Sequence, residues 1–554
     1  MSTGRKNLNL VSDFETTVSE DDCRVWGWGL TEIGGRSTVE FGQSITEFLV
    51  RVARVNAHVY FHNLKFDGRF ILDFLLRNGF THTTERNFGR GFFSTLISSM
   101  GEFYSITVRW LNGRKTEFRD SLKKLPMTVK RIGESFGGSL LKGELDYKQF
   151  RPVGHVLTDE EKLYIRNDIL IVSNALFLQM SEGHTRLTVG SDSLQEFKDL
   201  MGKKLFERYF PILPVTMDAD IRMAYRGGFT YVSKRFKKIT QGRGKVFDVN
   251  SLYPFVMRTA SLPYGAPEYF VGDPADCGRE LFIVSITFVA RLKPDHVPCI
   301  QIKGSMRHSE TEYLEVIDEP VTLMVTSVDL ALWRDHYDLD ILSFNGGWKF
   351  KSVTGIFNKY IDKWAKVKSE SKGGMRELAK LFLNSLYGKF ATNPDITPKI
   401  PVLDKGVVRL VTGKVETRDP VYTAMGAFIT AYARNLTIRA AQEHYCCFAY
   451  ADTDSLHLIA CHRGEPNLDI DPNRMGAWKL EYSFKMAMFW RAKQYTEWRT
   501  DTDRLETHIA GMPPNLQSEV TFMDYWPGRV FEGKLQQRAV PGGAILRETV
   551  FTMS

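Results

Sequence analysis

Apolar and polar positions alternate over residues 8–17 and again over 58–61, which predicts two strands. The apolar run 70–76 predicts a helix after the second, with residues 62–68 as the loop that precedes it. Thr158 and Glu161 have capping-box spacing at the head of a helix that carries Tyr164 and Asp168 on one face. Residues 245–249 read as a strand. Between 373 and 390 the period is helical: Arg376, Lys380, Asn384 and Tyr387 form one stripe, and Leu378, Leu381 and Phe382 face elsewhere. An apolar stretch from about Tyr445 runs into Tyr450-Ala451-Asp452-Thr453-Asp454-Ser455. This predicts a tight hairpin with Asp452 at its tip, a returning strand from Asp454, and both carboxylates on one side. Alternation resumes from about residue 509 and passes through Pro541-Gly542-Gly543, a small β unit.

A chain of 554 residues is too long for one core, and roughly two to four domains are expected. With 43% hydrophobic and 25% charged residues it reads as soluble and globular, not disordered. A net charge of +8 permits an anionic partner, so the clustering of Lys and Arg carries more information than the total. No apolar run approaches the ~18 residues that span a bilayer, and residues 1–10 have no secretory core, which places the chain in the cytosol with no membrane partner. Six scattered cysteines suggest a reducing compartment; Cys446, Cys447, Cys461 and His462 do not have structural-zinc spacing.

Asp452 and Asp454 read either as an ordinary acidic turn or as a Mg²⁺ site, and the choice depends on further acids. Asp13 and Glu15 lie on one face of the first strand, Asp67 follows the second, and Asp168 sits one turn beyond Tyr164. Four such carboxylates meet the requirement for two divalent ions about 3.5–4 Å apart, able to activate a water and stabilise a leaving 3′ oxygen. Tyr164 would orient that water.

The order Asp-x-Glu, Asn-x-x-x-Asp, Tyr-x-x-x-Asp resembles the 3′→5′ proofreading exonuclease of family B DNA polymerases. The wording Asp13-Phe14-Glu15-Thr16-Thr17 and Tyr60-Phe61-His62-Asn63-Leu64-Lys65-Phe66-Asp67-Gly68 closely resembles the protein-primed, phi29-like phage enzymes. The resemblance implies that Thr16, His62, Asn63, Phe66, Ser121, Leu122 and Tyr147 hold a frayed single-stranded 3′ end, with Phe66 as a stacking surface. It implies that Lys142 assists catalysis. Met127 stands where members of that family carry an aromatic, which weakens one base contact.

The second half continues the resemblance. Tyr225-Arg226-Gly227-Gly228 is similar to the template-holding element between the two active sites, and its glycines permit close backbone approach. The acid-free run 233–245, with Lys234, Arg235, Lys237, Lys238, Arg243 and Lys245, suits phosphate contact. Asp248-Val249-Asn250-Ser251-Leu252-Tyr253-Pro254 resembles the first polymerase motif. Its acid would bind both metals with Asp454, Val249 would join as a metal ligand, Leu252 would contact the nucleotide, and Tyr253 would exclude a 2′-hydroxyl. Lys380-x-x-x-Asn384-Ser385-Leu386-Tyr387-Gly388 resembles the fingers motif that lies along a nucleotide triphosphate, and Lys368 would reach it by analogy. Lys493 and Tyr495 resemble the Lys-x-Tyr pair that steadies the primer terminus. The segment between Tyr495 and Gly511 looks shorter than in those enzymes.

Roughly 120 residues separate Pro254 from Lys380 and roughly 60 separate Gly388 from Tyr450, too many for plain connections. The implied division is an RNase H-like α/β exonuclease domain (1–188) followed by an α+β right-hand polymerase. Its parts are palm (189–258 and 424–508), fingers (356–391), thumb (509–554), and two terminal-protein-region insertions (259–355 and 392–423). The first insertion would dock a terminal protein; the second would close a ring around downstream DNA and support strand displacement. The expectation is a monomeric, two-metal DNA-directed DNA polymerase using Mg²⁺, with Mn²⁺ as substitute. Its substrates would be dNTPs, primer-template and single-stranded DNA, and a terminal protein would prime it in the cytoplasm of a bacterial host. A reverse transcriptase is disfavoured because its two hairpin acids are adjacent, whereas Thr453 separates these. A silent scaffold is disfavoured because no metal candidate is missing. Asp452 ranks below Asp454, as a supporting group.

Overall fold

The computed structural model describes residues 7–35, 38–136, 140, 143–147, 149–302, 312–460 and 466–553. The N-terminal sheet has eight strands in the order Glu40–Gly42, Val25–Glu32, Leu8–Thr16, Ala57–Phe61, Lys115–Asp120, Phe103–Arg109, Phe92–Ile97, Thr81–His82. Leu8–Thr16 pairs antiparallel with Val25–Glu32 and parallel with Ala57–Phe61, so both of its edges are hydrogen-bonded. Leu10 and Phe14 point into a core with Phe48 and Phe61. Val11, of the same parity as Asp13 and Glu15, packs with Ile169 and Val172 of the helix Asp159–Ser181. That helix begins with the reciprocal cap expected from its spacing: Glu161 N–H donates to Thr158 Oγ1 at 3.2 Å and Thr158 N–H donates to the Glu161 carboxylate at 3.0 Å.

One boundary differs from the sequence reading in a way that matters. Asn63 takes a left-handed conformation at φ 75°, and the helix Leu64–Arg77 starts immediately after it. Asp67 is therefore in the first helical turn and not in a loop. Asparagine tolerates this conformation better than most residues, and nothing in the apolar periodicity marks it.

The second sheet also has eight strands. Seven run in the order Leu505–Ile509, Gln494–Arg499, Trp478–Arg491, Gly244–Val249, Ser455–Ile459, Phe448–Asp452, Thr230–Val232, and Thr240–Gln241 pairs with Trp478–Arg491. The largest core cluster joins this sheet to the helices Leu252–Thr259, Asn358–Glu370, Gly373–Phe390 and Thr423–Glu443. The same core extends under a third sheet, Leu262–Phe270, Tyr337–Val353, Leu281–Leu292, Val316–Thr326, and its helix Ser327–His336.

Two hairpins return to the N-terminal region. In the first (Lys399–Asp404, Val407–Thr412), Val408 is fully buried in the N-terminal core and its carbonyl accepts from the Arg69 guanidinium at 2.9 Å. In the second (Val530–Val540, Gly543–Thr552), Gly542 N–H donates to Asp73 at 3.2 Å and the Gln537 amide donates to the Lys65 carbonyl at 2.9 Å. Both hairpins thus dock on the helix Leu64–Arg77 that carries Asp67. No helix among the described residues is long and apolar enough to cross a membrane.

Candidate active sites

Asp248 is the penultimate residue of a central strand, opposite Ser455 on one side and Lys479 on the other. Val249 N–H donates to the Asp454 carbonyl at 2.8 Å, tying the acidic turn to the end of that strand. The turn corrects the hairpin drawn from sequence. Asp452 ends the strand Phe448–Asp452, Ser455 begins the next, and Thr453 and Asp454 form the connection, with Thr453 at φ 63°. A two-residue connection needs a left-handed residue here, and no glycine advertises it. Geometry of the turn, not strand alternation, therefore sets where Asp454 points.

Burial, then Asp454 and Glu481, push the Asp248 carboxyl up to about 7. Burial, with Asp452 and Glu481, also raises Asp454. Two carboxylates that resist ionising together suit a divalent cation, which would offset both penalties. Among the described residues no three His, Cys, Asp or Glu side chains form a group able to hold an ion by themselves. Mg²⁺ takes one or two protein carboxylates and completes its shell with water and substrate phosphate, a demand that Asp248 and Asp454 meet. Val249 is buried, so its carbonyl is the group it has to offer.

Asp452 has a different environment. Lys493 Nζ lies 2.8 Å from its carboxylate and the Thr230 hydroxyl donates to it at 2.9 Å. Lys493 N–H donates to the Tyr450 hydroxyl at 3.1 Å. Lys493, expected at a primer phosphate, is here the ion-pair partner of Asp452. Tyr495 packs 4.9 Å from the Tyr450 ring, among His457 and Phe489, and not out on a surface. Gly228 is required for close approach: a methyl there would meet Thr453 Oγ1 at 2.7 Å, whereas Gly227 faces open space. Thr453 N–H donates to the Phe229 carbonyl at 2.7 Å. Tyr225 precedes this loop, and Arg434 holds it through the Arg226 and Gly227 carbonyls at 2.6 and 2.7 Å.

On the helix Gly373–Phe390 the polar stripe is where periodicity put it. Leu378 and Phe382 are buried, Arg376 and Asn384 are exposed, and Lys380 and Tyr387 are half-buried. Tyr387 stacks on Tyr253. Lys380 Nζ pairs with Glu377 at 2.8 Å, and Lys368 Nζ donates to Ser251 Oγ at 3.1 Å. Burial, then Arg376 and Lys380, lower the Lys368 ammonium. Leu252 is in the core, which leaves only its main chain available to a nucleotide.

The second site lies on the N-terminal sheet. Asp13 faces Gly29 and Glu15 faces Gly27 across the register. Methyls at these glycines would meet Ile165 Cγ2 at 2.5 Å and Leu157 Cδ2 at 3.0 Å, so their lack of side chains lets the helix Asp159–Ser181 close over the acids. Burial, then Tyr147, Asp168 and Glu15, push the Tyr164 hydroxyl up, and it hydrogen-bonds Tyr147 at 2.7 Å. Burial and Asp13 hold the Asp67 carboxyl well above the usual range. Asp67 Oδ1 is buried with no hydrogen-bond partner among the described residues. A buried orphan oxygen beside a second acid is what a bound cation satisfies.

Four of the single-strand candidates come together beside it. His62 bridges Ser121 Oγ at 3.0 Å and the Met127 carbonyl at 2.8 Å, while Asn63 and Leu122 N–H groups donate to one Asp120 carboxylate at 3.0 and 2.9 Å. Thr16 is buried at the end of the acid strand, and the half-buried Phe66 ring lies 5.7 Å from Phe70. Lys142 lies outside the described residues, as do Cys461 and His462. Part of the basic run is engaged within the protein: Lys234 pairs with Glu315 at 2.9 Å, Arg235 lies over Tyr445 and Lys238 over Trp490.

Several organising residues have no local signature. Asp329 receives a bidentate, buried ion pair from Arg434, at 2.9 and 2.7 Å. Glu377, Glu481 and Asp120 likewise fall in none of the motifs. Only Glu377 carried a readable signal, its i,i+3 spacing from Lys380.

The family described as DNA polymerase type B, organellar and viral, matches residues 50–154 and 140–469. The DNA polymerases of Bacillus phages Nf and phi29 are 44% and 43% identical to this chain, each over 98% of both chains. That of Streptococcus phage Cp-1 is 32% identical over 98% of both. The structure of phi29 DNA polymerase complexed with primer-template DNA and incoming nucleotide substrates matches with a TM-score of 0.94 and 42% identity, covering 99% of this chain and 100% of that one. The phi29 polymerase complex with single-stranded DNA matches at 0.92 and 41%, with the same coverage.

Proposed function

The chain belongs to the organellar and viral type B DNA polymerases, in the phi29-like phage group, and from that membership we propose how its two sites divide the work. The enzyme is a DNA-directed DNA polymerase with the fold of the phi29 enzyme. Polymerases of this family depend on divalent metal, and the residues here fit Mg²⁺, or Mn²⁺ in its place, as two ions per site.

The single observation that carries the reading is the junction of Asp248, Val249 and the Asp454 turn, facing Lys368 and the Lys380 to Tyr387 stripe. When bound, the ions supply a lowered pKa at the primer 3′-OH and charge neutralisation on the triphosphate. Asp248 and Asp454 would hold them. Lys368 and Lys380 approach the phosphates, Lys380 leaving Glu377 to do so. Tyr253, braced by Tyr387, forms the floor under the sugar and Asn384 lies further along the same face. Lys493 steadies the primer strand and keeps Asp452 in place as a supporting acid. Gly228 lets the template loop approach the turn.

At the second site Asp13, Glu15, Asp67 and Asp168 would hold the ions for 3′→5′ removal of a mispaired nucleotide, with Tyr164 orienting water. Thr16, His62, Asn63, Phe66, Ser121, Leu122 and Tyr147 would bind the frayed end, and Lys142 would assist. The domain division given above goes with this reading. The third sheet would receive a terminal protein, and the 399–412 hairpin, docked on the exonuclease helix, would encircle downstream DNA for strand displacement. The enzyme acts as a monomer in the host cytoplasm on a linear viral genome.

Asp248→Asn tests the first site: extension of a primed template should vanish while digestion of single strands persists, and residual extension near the wild-type level refutes the assignment. Protein priming has its own test, a covalent adduct of labelled dATP with a candidate terminal protein; its absence with an active enzyme removes that part.

A further inference from the structure

Glu497 lies in the strand Gln494–Arg499, two residues beyond Tyr495 and on the same face. It is 0% exposed, and both carboxylate oxygens are engaged: His457 Nδ1 lies 2.7 Å from Oε1, and the Tyr482 hydroxyl donates to Oε2 at 2.7 Å. Burial, then Glu497, push that hydroxyl up, so it stays a donor. A carboxylate buried this deeply is tolerated only with such partners, and it fixes them in return.

His457 stands opposite Tyr450 across two paired strands. Its ring centroid lies 5.0 Å from that of Tyr450 and 5.1 Å from that of Tyr495, edge-on to both at 69° and 74°. An edge-on ring holds its neighbours only while its own angle is fixed, and the bond to Glu497 fixes it. The Tyr450 hydroxyl carries the arrangement outward. It accepts from Lys493 N–H at 3.1 Å, and Lys493 sits at φ 57° in the turn between the strands Trp478–Arg491 and Gln494–Arg499. A left-handed lysine persists where its surroundings hold it, and this hydrogen bond is one such hold. One hydrogen bond or ring contact per link thus joins Glu497 to His457, Tyr450 and Lys493 in turn.

We propose that Glu497 is a positioning residue for the primer terminus: through His457 and Tyr450 it sets the Lys493 turn and so the place of the Lys493 ammonium. This rests on the reading that Lys493 steadies the primer strand. Tyr482 acts with Glu497 by holding its second oxygen. Without the carboxylate the imidazole turns, the Tyr450 and Tyr495 rings relax, and the polymerase site loses its grip on the primer end.

Steady-state extension of a primer-template by the full chain in Mg²⁺ tests this, with tryptophan fluorescence verifying that each variant is folded. Glu497→Leu should raise KM for primer-template about tenfold while kcat and KM for dNTP stay within about twofold, the pattern of lost ground-state binding. Digestion of single strands should be unchanged. Glu497→Gln keeps an acceptor for His457 and a partner for Tyr482, so it should bring KM back to within about threefold of wild type. Should Glu497→Leu fail to fold, Tyr482→Phe takes its place, with an expected rise of about threefold. Glu497→Leu combined with Lys493→Ala should be no worse than Lys493→Ala alone, because residues acting through one contact are not additive. An unchanged primer KM in the folded Glu497→Leu or Tyr482→Phe variant, an additive double variant, or an equal fall of extension and single-strand digestion in a folded variant overturns the assignment. An unchanged primer KM in Lys493→Ala instead overturns the primer reading on which the assignment stands.

Discussion

Tyr253 and Tyr387 stack with ring centroids 3.9 Å apart and planes 19° from parallel, although one opens the helix after the Asp248 strand and the other lies late on the polar helix. The stack braces the Tyr253 ring, the group proposed to lie under the sugar. Offset stacking of this kind contributes about 0.5–1.5 kcal/mol beyond area burial. If Tyr253 excludes a 2′-hydroxyl by its bulk, Tyr253→Val should weaken discrimination against ribonucleotides by about a hundredfold, whereas Tyr253→Phe should keep it. Single-turnover incorporation of dNTP and rNTP measures this directly. Equal discrimination in wild type and Tyr253→Val rules out a steric gate at this residue.

Gly29 allows the helix carrying Tyr164 and Asp168 to approach Asp13. Gly29→Val should push Ile165 and that helix outward and lower 3′ digestion by about a hundredfold, because small misplacements of reacting groups have effects of that order. Extension on a matched primer should change little. Digestion assays on single-stranded and paired 3′ ends distinguish this from general unfolding, which would reduce both activities together.

These glycines show what the sequence made legible and what it did not. Strand alternation and helical stripes located Asp13, Glu15, Asp248, Lys380 and Tyr387, because each pattern is written in neighbouring residues. The left-handed Asn63 and Thr453 shifted Asp67 into a helix and Asp454 into a turn, since a single backbone torsion leaves no periodic trace. Asp329 with Arg434, and Asp120 with Asn63, are long-range pairs whose partners are selected only by the packing of separate elements.

Asp329 and Arg434 are 3% and 6% exposed and join the third sheet's helix to the helix Thr423–Glu443 and to the loop at Arg226 and Gly227. Removing one partner leaves a buried, uncompensated charge. Arg434→Met should therefore destabilise the protein by about 3–5 kcal/mol. Denaturant unfolding followed by tryptophan fluorescence checks it; a change below about 1 kcal/mol would place the pair with ordinary surface bridges.

His184 lies against Phe382, ring centroids 4.3 Å apart, and burial, then Lys124 and Lys363, lower its pKa from 6.5 to about 4. A histidine depressed on folding gives stability that is complete above 6.5 and is lost as pH falls toward 4, since the unfolded chain then binds the extra proton. The stability advantage of wild type over His184→Gln should accordingly shrink between pH 7 and pH 5. Paired urea titrations at both values test the sign, and an advantage that grows on acidification contradicts it.

The decisive measurement is a reciprocal separation of the two activities on one labelled primer-template in Mg²⁺. Asp454→Ala should abolish extension and leave 3′ digestion of single strands intact, while Asp13→Ala combined with Glu15→Ala should abolish digestion and leave extension. Extension surviving in Asp454→Ala, or digestion surviving in the double variant, would contradict the assignment of the corresponding site.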